Sequence, residues 1–187
     1  AEGEIALNPQ AHTGIKDALN NYNLFLHPPA EEWPWQGRSL LVHLLRFFSV
    51  IIGAGSLLCI YATARLLWPA HPSYALLAVA IVAALPQWLF LHSAITNDTL
   101  LIFLVALTQC YLTHLWLAPT RPNGYWLLGV LIALAILTKN TGLLLLPYSA
   151  LFLLAKRRWR ITWQLARVGM TIAIPVVLLT GWHFWRN

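Results

Sequence analysis

Charge is what this sequence has least of. Only 10% of its 187 residues are charged, where soluble domains carry roughly a quarter, and that excludes a water-soluble globule. Acid is scarcer still: six Asp and Glu stand against twelve Lys and Arg, and Asp98 is the single acid after residue 32. Cysteine is limited to Cys59 and Cys110, both inside apolar runs, which reads as packed thiols rather than a disulfide or metal site. No Met and no basic-then-apolar leader opens the chain, and its last residues, Trp182 to Asn187, stop directly after an apolar segment. A piece of a longer polypeptide, or a processed product, is expected.

Apolar surface is what the chain has in excess. Hydrophobic residues make up 59% and the mean hydropathy is +0.64, too apolar for a solvated disordered chain. The composition implies an all-α, polytopic helical membrane protein. A net charge of +6 and a pI near 9.8 would suggest nucleic acid in a soluble protein. In a membrane protein they raise the question of which face the basic residues occupy, and no nucleic-acid partner is expected.

Residues 1–37 are polar and rich in turn formers, including Asn8-Pro9, His27-Pro28-Pro29 and Trp33-Pro34-Trp35. They read as a loop region at a membrane surface, with tryptophans suited to the headgroup layer. Residues 38–187 read as a transmembrane helical domain with about six spans, near 40–68, 74–91, 99–118, 125–138, 142–155 and 163–184. Pro86 is expected to kink the second, and Thr96-Asn97-Asp98 are good helix-start residues for the third. The fourth and fifth form a short hairpin around Lys139-Asn140-Thr141-Gly142.

Placing residues 1–37 outside puts Arg65, Arg121, Lys156, Arg157, Arg158, Arg160 and Arg167 on the inside, and leaves Lys139 alone in the outer interhelical turns. That obeys the positive-inside rule. A full-length protein that starts inside would then carry an odd number of spans before Ala1. The polar residues converge on the outer side: the N-terminal loop, His43, Arg46, the turn from His92 to Asp98, and Lys139-Asn140-Thr141.

Lys139 is the sharpest candidate. Flanking helices of roughly 21 Å cannot cross a hydrocarbon core of roughly 30 Å, so the hairpin tip stops below the outer surface. A lysine there lines a cavity or pairs with something. It suits a phosphate or pyrophosphate as a point charge; otherwise it snorkels to the headgroups or pairs structurally with Asp98. Asp98 itself can cap a helix, or orient a metal, a sugar hydroxyl or Lys139. Arg46, one turn after His43, can clamp a phosphate or serve as an interfacial anchor. His43, His92 and His114 invite a haem or pigment reading, but no spacing rule selects a pair. Gly53, Gly55, Ser56, Gly129 and Ala133 are small residues suited to close helix packing.

Three segments also match a known pattern. Leu85-Pro86-Gln87 followed by Ser93-Ala94-Ile95-Thr96-Asn97-Asp98, the hairpin Leu134-Ala135-Ile136-Leu137-Thr138-Lys139-Asn140-Thr141-Gly142, and the terminal Gly181-Trp182-His183-Phe184-Trp185-Arg186-Asn187 occur in this order. Together they resemble the C-type glycosyltransferase superfamily, specifically its family 39, protein-mannosyltransferase-like bacterial membrane proteins, over most of residues 8 to 187. The resemblance implies a bacterial inner-membrane enzyme that moves a sugar from a polyprenyl-phosphate carrier to an acceptor on the extracytoplasmic face. Lys139 and Arg46 would hold the phosphate, and Asn97, Asp98, Asn140 and His43 would shape the cavity. The lipid-linked sugar would be substrate, with a divalent metal left open as cofactor.

The family's catalytic acid lies in an Asp-Glu-like motif soon after the first span. No such motif occurs here, since Glu31-Glu32 stands in a different context. The acid is expected upstream of Ala1, or the chain is not catalytic. A non-catalytic transmembrane subunit of a larger membrane complex is therefore the first alternative. A transporter is the second, because short paired helices around a polar tip also occur there; the nearly apolar cytoplasmic half counts against it.

Overall fold

The computed structural model describes residues 32–117, 124–156 and 163–186. Every regular element among them is helical: α1 (Gly37–Leu67), α2 (Pro72–Ala83), α3 (Pro86–Ser93), α4 (Asn97–Leu117), α5 (Gly124–Thr138), a 3-10 turn (Asn140–Leu144), α6 (Leu145–Lys156) and α7 (Trp163–Arg186). Residues 1–31 of the expected loop region and the basic residues Arg121, Arg157, Arg158 and Arg160 lie outside the described residues.

By length and composition, three of these helices can cross a membrane: α1, α4 and Ala166–Arg186 of α7. The number rises to four if α2 and α3 form one broken span. That is fewer than the expected six, because α5 and α6 are apolar but short and the second apolar run is not one helix. Where a kink was expected at Pro86, α2 and α3 meet at 70°. The local cause is plain. Proline disfavours the α conformation at the residue before it, and Leu85 is extended at φ −72°, ψ 119°. Pro86 then opens α3 in the first-turn position that tolerates a missing N–H.

The chain divides into two compact units, Ala1–Leu45 and Arg46–Asn187, with α1 running through the boundary. In the first, the described part is organised by aromatics. Trp35 stacks on His43 with ring centroids 3.8 Å apart, Trp33 meets Trp35 edge-on, and His43 Nδ1 donates to the Ser39 carbonyl at 2.8 Å.

The second unit has its core on α5. Leu112 of α4, Leu128, Ile132, Ala133 and Ile136 of α5, and Ile172 and Val176 of α7 are buried together. Gly129 lets α5 and α7 touch, since a Cβ there would run into the Pro175 ring and the Ile172 carbonyl. Such close approach at a small residue is how helices gain contact where apolar surroundings give no hydrophobic drive. Hydroxyls inside these helices satisfy themselves locally. Ser56, Thr108 and Thr180 each donate to the carbonyl one turn back. At one end of the unit, Lys156 donates to the Leu115 carbonyl, and Tyr148 donates to Gln109 Oε1, tying α6 to α4. Cys59 and Cys110 are free thiols, partly buried.

Candidate functional site

At the end of the second unit where α4 begins and α5 stops, two distant stretches of sequence meet. Thr96 caps α4: its hydroxyl oxygen accepts from the Asp98 N–H at 3.2 Å, as N-cap residues do for the second N–H of a helix. Asp98 therefore sits in the first helical turn, where the partial positive charge of the helix favours a carboxylate. Thr99 is buried and donates to the Leu91 carbonyl at 2.8 Å, holding the end of α3 against the start of α4.

The other stretch is the hairpin. α5 ends at Thr138, and Lys139 turns extended at φ −160°, ψ 139°. Its N–H still donates to the Ala135 carbonyl at 3.1 Å, while its carbonyl accepts from Gly142 N–H at 2.8 Å. Gly142 lies on the backbone of Ala135: a Cβ there would stand 2.5 Å from that residue's carbonyl carbon and oxygen. Only glycine allows the chain to double back this tightly.

The two stretches are joined twice. Lys139 Nζ lies 2.5 Å from Asp98 Oδ1, and Asn97 Nδ2 donates to the Thr138 carbonyl at 3.3 Å. The ion pair is only half-buried, with the side chains 39% and 31% exposed. In that setting an isolated pair contributes at most about 1 kcal/mol to stability, so its placement matters more for chemistry than for folding. The Thr96 hydroxyl lies 3.4 Å from Asp98 Oδ2 and leaves that oxygen with acceptor capacity to spare.

Of the candidates from sequence, Lys139, Asp98 and Asn97 are thus brought together. Asn140 is exposed beside them, at the start of the 3-10 turn. Arg46 is exposed on α1, and no hydrogen bond or ion pair joins it to the Lys139–Asp98 pair among the described residues. His43 belongs to the N-terminal unit and its aromatic stack.

His92 and His114 each sit in an aromatic contact of their own. His92 is buried, stacked on Trp88 at 4.1 Å and bonded through Nδ1 to the Trp88 carbonyl. Its ring fills the space that a side chain on Gly53 would need. His114 lies in the last turn of α4, beside Tyr111. Among the described residues no group of three or more His, Cys, Asp or Glu is arranged to hold a metal ion.

Sequence reasoning missed the supports of the site: the Thr99–Leu91 tie, the Asn97–Thr138 tie and the close approach at Gly142. Gly142 left a signal, a glycine three residues beyond a polar residue that ends an apolar run. The two ties left none.

A polytopic helical unit with a cation–carboxylate pair at one end is an arrangement that a family comparison can test. The model of the dolichyl-phosphate-mannose-protein mannosyltransferase family matches residues 27–182. The chain belongs to this family. No curated protein and no solved structure matches it. Family membership and the apolar helices together make it an integral membrane protein of the glycosyltransferase type. Both stretches of the candidate site, Thr96 to Thr99 and Thr138 to Gly142, lie within the matched residues.

Proposed function

We propose that this chain is the membrane part of a glycosyltransferase that takes its sugar from a polyprenyl-phosphate carrier, with the carrier's phosphate held by Lys139. The observation that carries the reading is the position of the Lys139 ammonium. It sits at the tip of a helical hairpin, beside the start of α4, half-open to its surroundings and anchored from behind by packed backbone. A lipid-linked donor needs an apolar approach for its tail and a cation for its head, and exposed apolar helix faces flank this cation.

In the transfer, an acceptor hydroxyl attacks the anomeric carbon and the bond from that carbon to the phosphate oxygen breaks. The leaving oxygen keeps the electron pair, and Lys139 stabilises the charge that grows on the phosphate. The base that takes the acceptor's proton is a carboxylate of the acidic loop that the family resemblance implies in the intact protein, and not Asp98, which faces Lys139. Arg46 is a second cation for the phosphate, while Asn97 and Asn140 shape the pocket wall. The site opens to the extracytoplasmic face of the plasma membrane, a reading supported by the basic residues Arg65 and Lys156 at the opposite helix ends.

The test is Lys139→Ala in the intact protein, assayed for transfer from a polyprenyl-phosphate sugar in membranes. Turnover is expected to fall by about 100-fold or more, with membrane insertion unchanged. Turnover equal to the unaltered protein would remove Lys139 from the phosphate site. Absence of transfer in the unaltered intact protein would instead favour a non-catalytic membrane subunit.

A further inference from the structure

A bare cation would be the simplest phosphate anchor, and this site is not one. The Lys139 ammonium already faces the Asp98 carboxylate at 2.5 Å, so the pair carries no net charge. An incoming anion that reaches Lys139 also meets Asp98, a like charge in a half-buried setting where screening is incomplete. The backbone that carries Asp98 is held in place. It is fixed in the first turn of α4 by the Thr96 cap, and the neighbouring Asn97 and Thr99 are tied to Thr138 and Leu91.

A ligand avoids the repulsion when it brings a hydrogen-bond donor next to its anion. An ionised carboxylate offers about four lone-pair positions. Here Oδ1 is used by Lys139, and among the described residues Oδ2 has only the Thr96 hydroxyl at 3.4 Å. A sugar hydroxyl adjacent to a phosphodiester fits that vacancy: phosphate to ammonium, hydroxyl to carboxylate.

We infer that Asp98 is the specificity-determining residue of this site, favouring a glycosyl phosphodiester over a phosphate that lacks an adjacent hydroxyl. The inference rests on the reading of Lys139 as the phosphate anchor and adds a consequence for turnover. Transfer converts the phosphodiester, with one negative charge and its sugar hydroxyls, into a phosphomonoester with up to two charges and none. The sugar leaves on the acceptor oxygen and one proton is released. Asp98 then loses its hydrogen-bond donor and faces more negative charge, so the same carboxylate that welcomes the loaded carrier helps to expel the spent one.

The experiment measures binding of two probes to the intact protein in detergent: farnesyl phosphate and farnesyl-phosphoryl-mannose. In Asp98→Asn, affinity for farnesyl phosphate is expected to rise roughly fivefold and affinity for the mannosyl probe to fall by a similar factor. Inhibition of turnover by farnesyl phosphate should strengthen in parallel. Asp98→Ser, whose hydroxyl preserves a helix-start side chain, gives the same comparison if the Asn variant does not fold. An unchanged ratio of the two affinities in these variants overturns the inference. Lys139→Met separates the two levels. Loss of both probes there, with an unchanged ratio in Asp98→Asn, leaves the anchor standing and removes the discriminator. Retention of both probes in Lys139→Met removes the anchor, and the role of Asp98 with it.

Discussion

α1 and α5 are both apolar helices, yet they face different surroundings. α1 runs for 31 residues and buries only Ser49, Gly53, Ser56 and Ala64. α5 has 15 residues and buries Tyr125, Leu128, Gly129, Leu131, Ile132, Ala133, Ala135 and Ile136. The longer helix has the length to cross a bilayer and leaves most of its side chains at least partly accessible. The shorter one is too short to cross alone and is wrapped by α4 and α7. Reach and burial are thus assigned to different elements, and the candidate site hangs from the buried one. Lys139 follows directly on Thr138, the last residue of α5, so its position is set by protein packing rather than by contact with lipid.

Three substitutions sharpen this contrast. The largest effect is expected at Gly142→Ala. The new Cβ would collide with the Ala135 backbone, which cannot yield without breaking the bond from Lys139 N–H to the Ala135 carbonyl. We expect a loss of about 3 kcal/mol together with loss of transfer, read by denaturant titration in micelles and by the activity assay. Next comes Ile132→Ala, which leaves a cavity at a fully buried position. It should cost about 2–3 kcal/mol in the same titration. The smallest effect is expected at Leu58→Ala on α1, where the side chain is 68% exposed; a change within about 0.5 kcal/mol is expected. A cost at Leu58 equal to that at Ile132 would show that α1 is packed against something as closely as α5, and the contrast would fall.

The helices themselves were legible from long apolar runs, and so were several of their ends. Pro86, expected as a kink inside one span, instead separates α2 from α3, whereas Thr96 marks the start of α4, because N-capping acts within a few residues. The end of α5 was legible because Lys139-Asn140-Thr141-Gly142 interrupts an apolar run. The number of spans was not, since hydropathy reads the same for a helix facing lipid and one facing other helices. α5 is as apolar as a spanning helix because its neighbours are apolar too. At the site, Lys139 and Asp98 each stood out as rare charges in apolar sequence. Their meeting at 2.5 Å joins residues 41 apart in the chain, and no local periodicity encodes such a distance. The Asn97 bond to a main-chain carbonyl is hidden for a further reason: an acceptor carbonyl exists at every residue, so sequence cannot say which is used.

The link between Asn97 and Thr138 has a bearing on assembly. It lies across the α4–α5 interface, so the two halves of the candidate site are carried by pieces of chain that already recognise each other through packed side chains. A protein severed between Leu117 and Gly124 would therefore still hold its carboxylate and its ammonium on fragments with reason to re-associate.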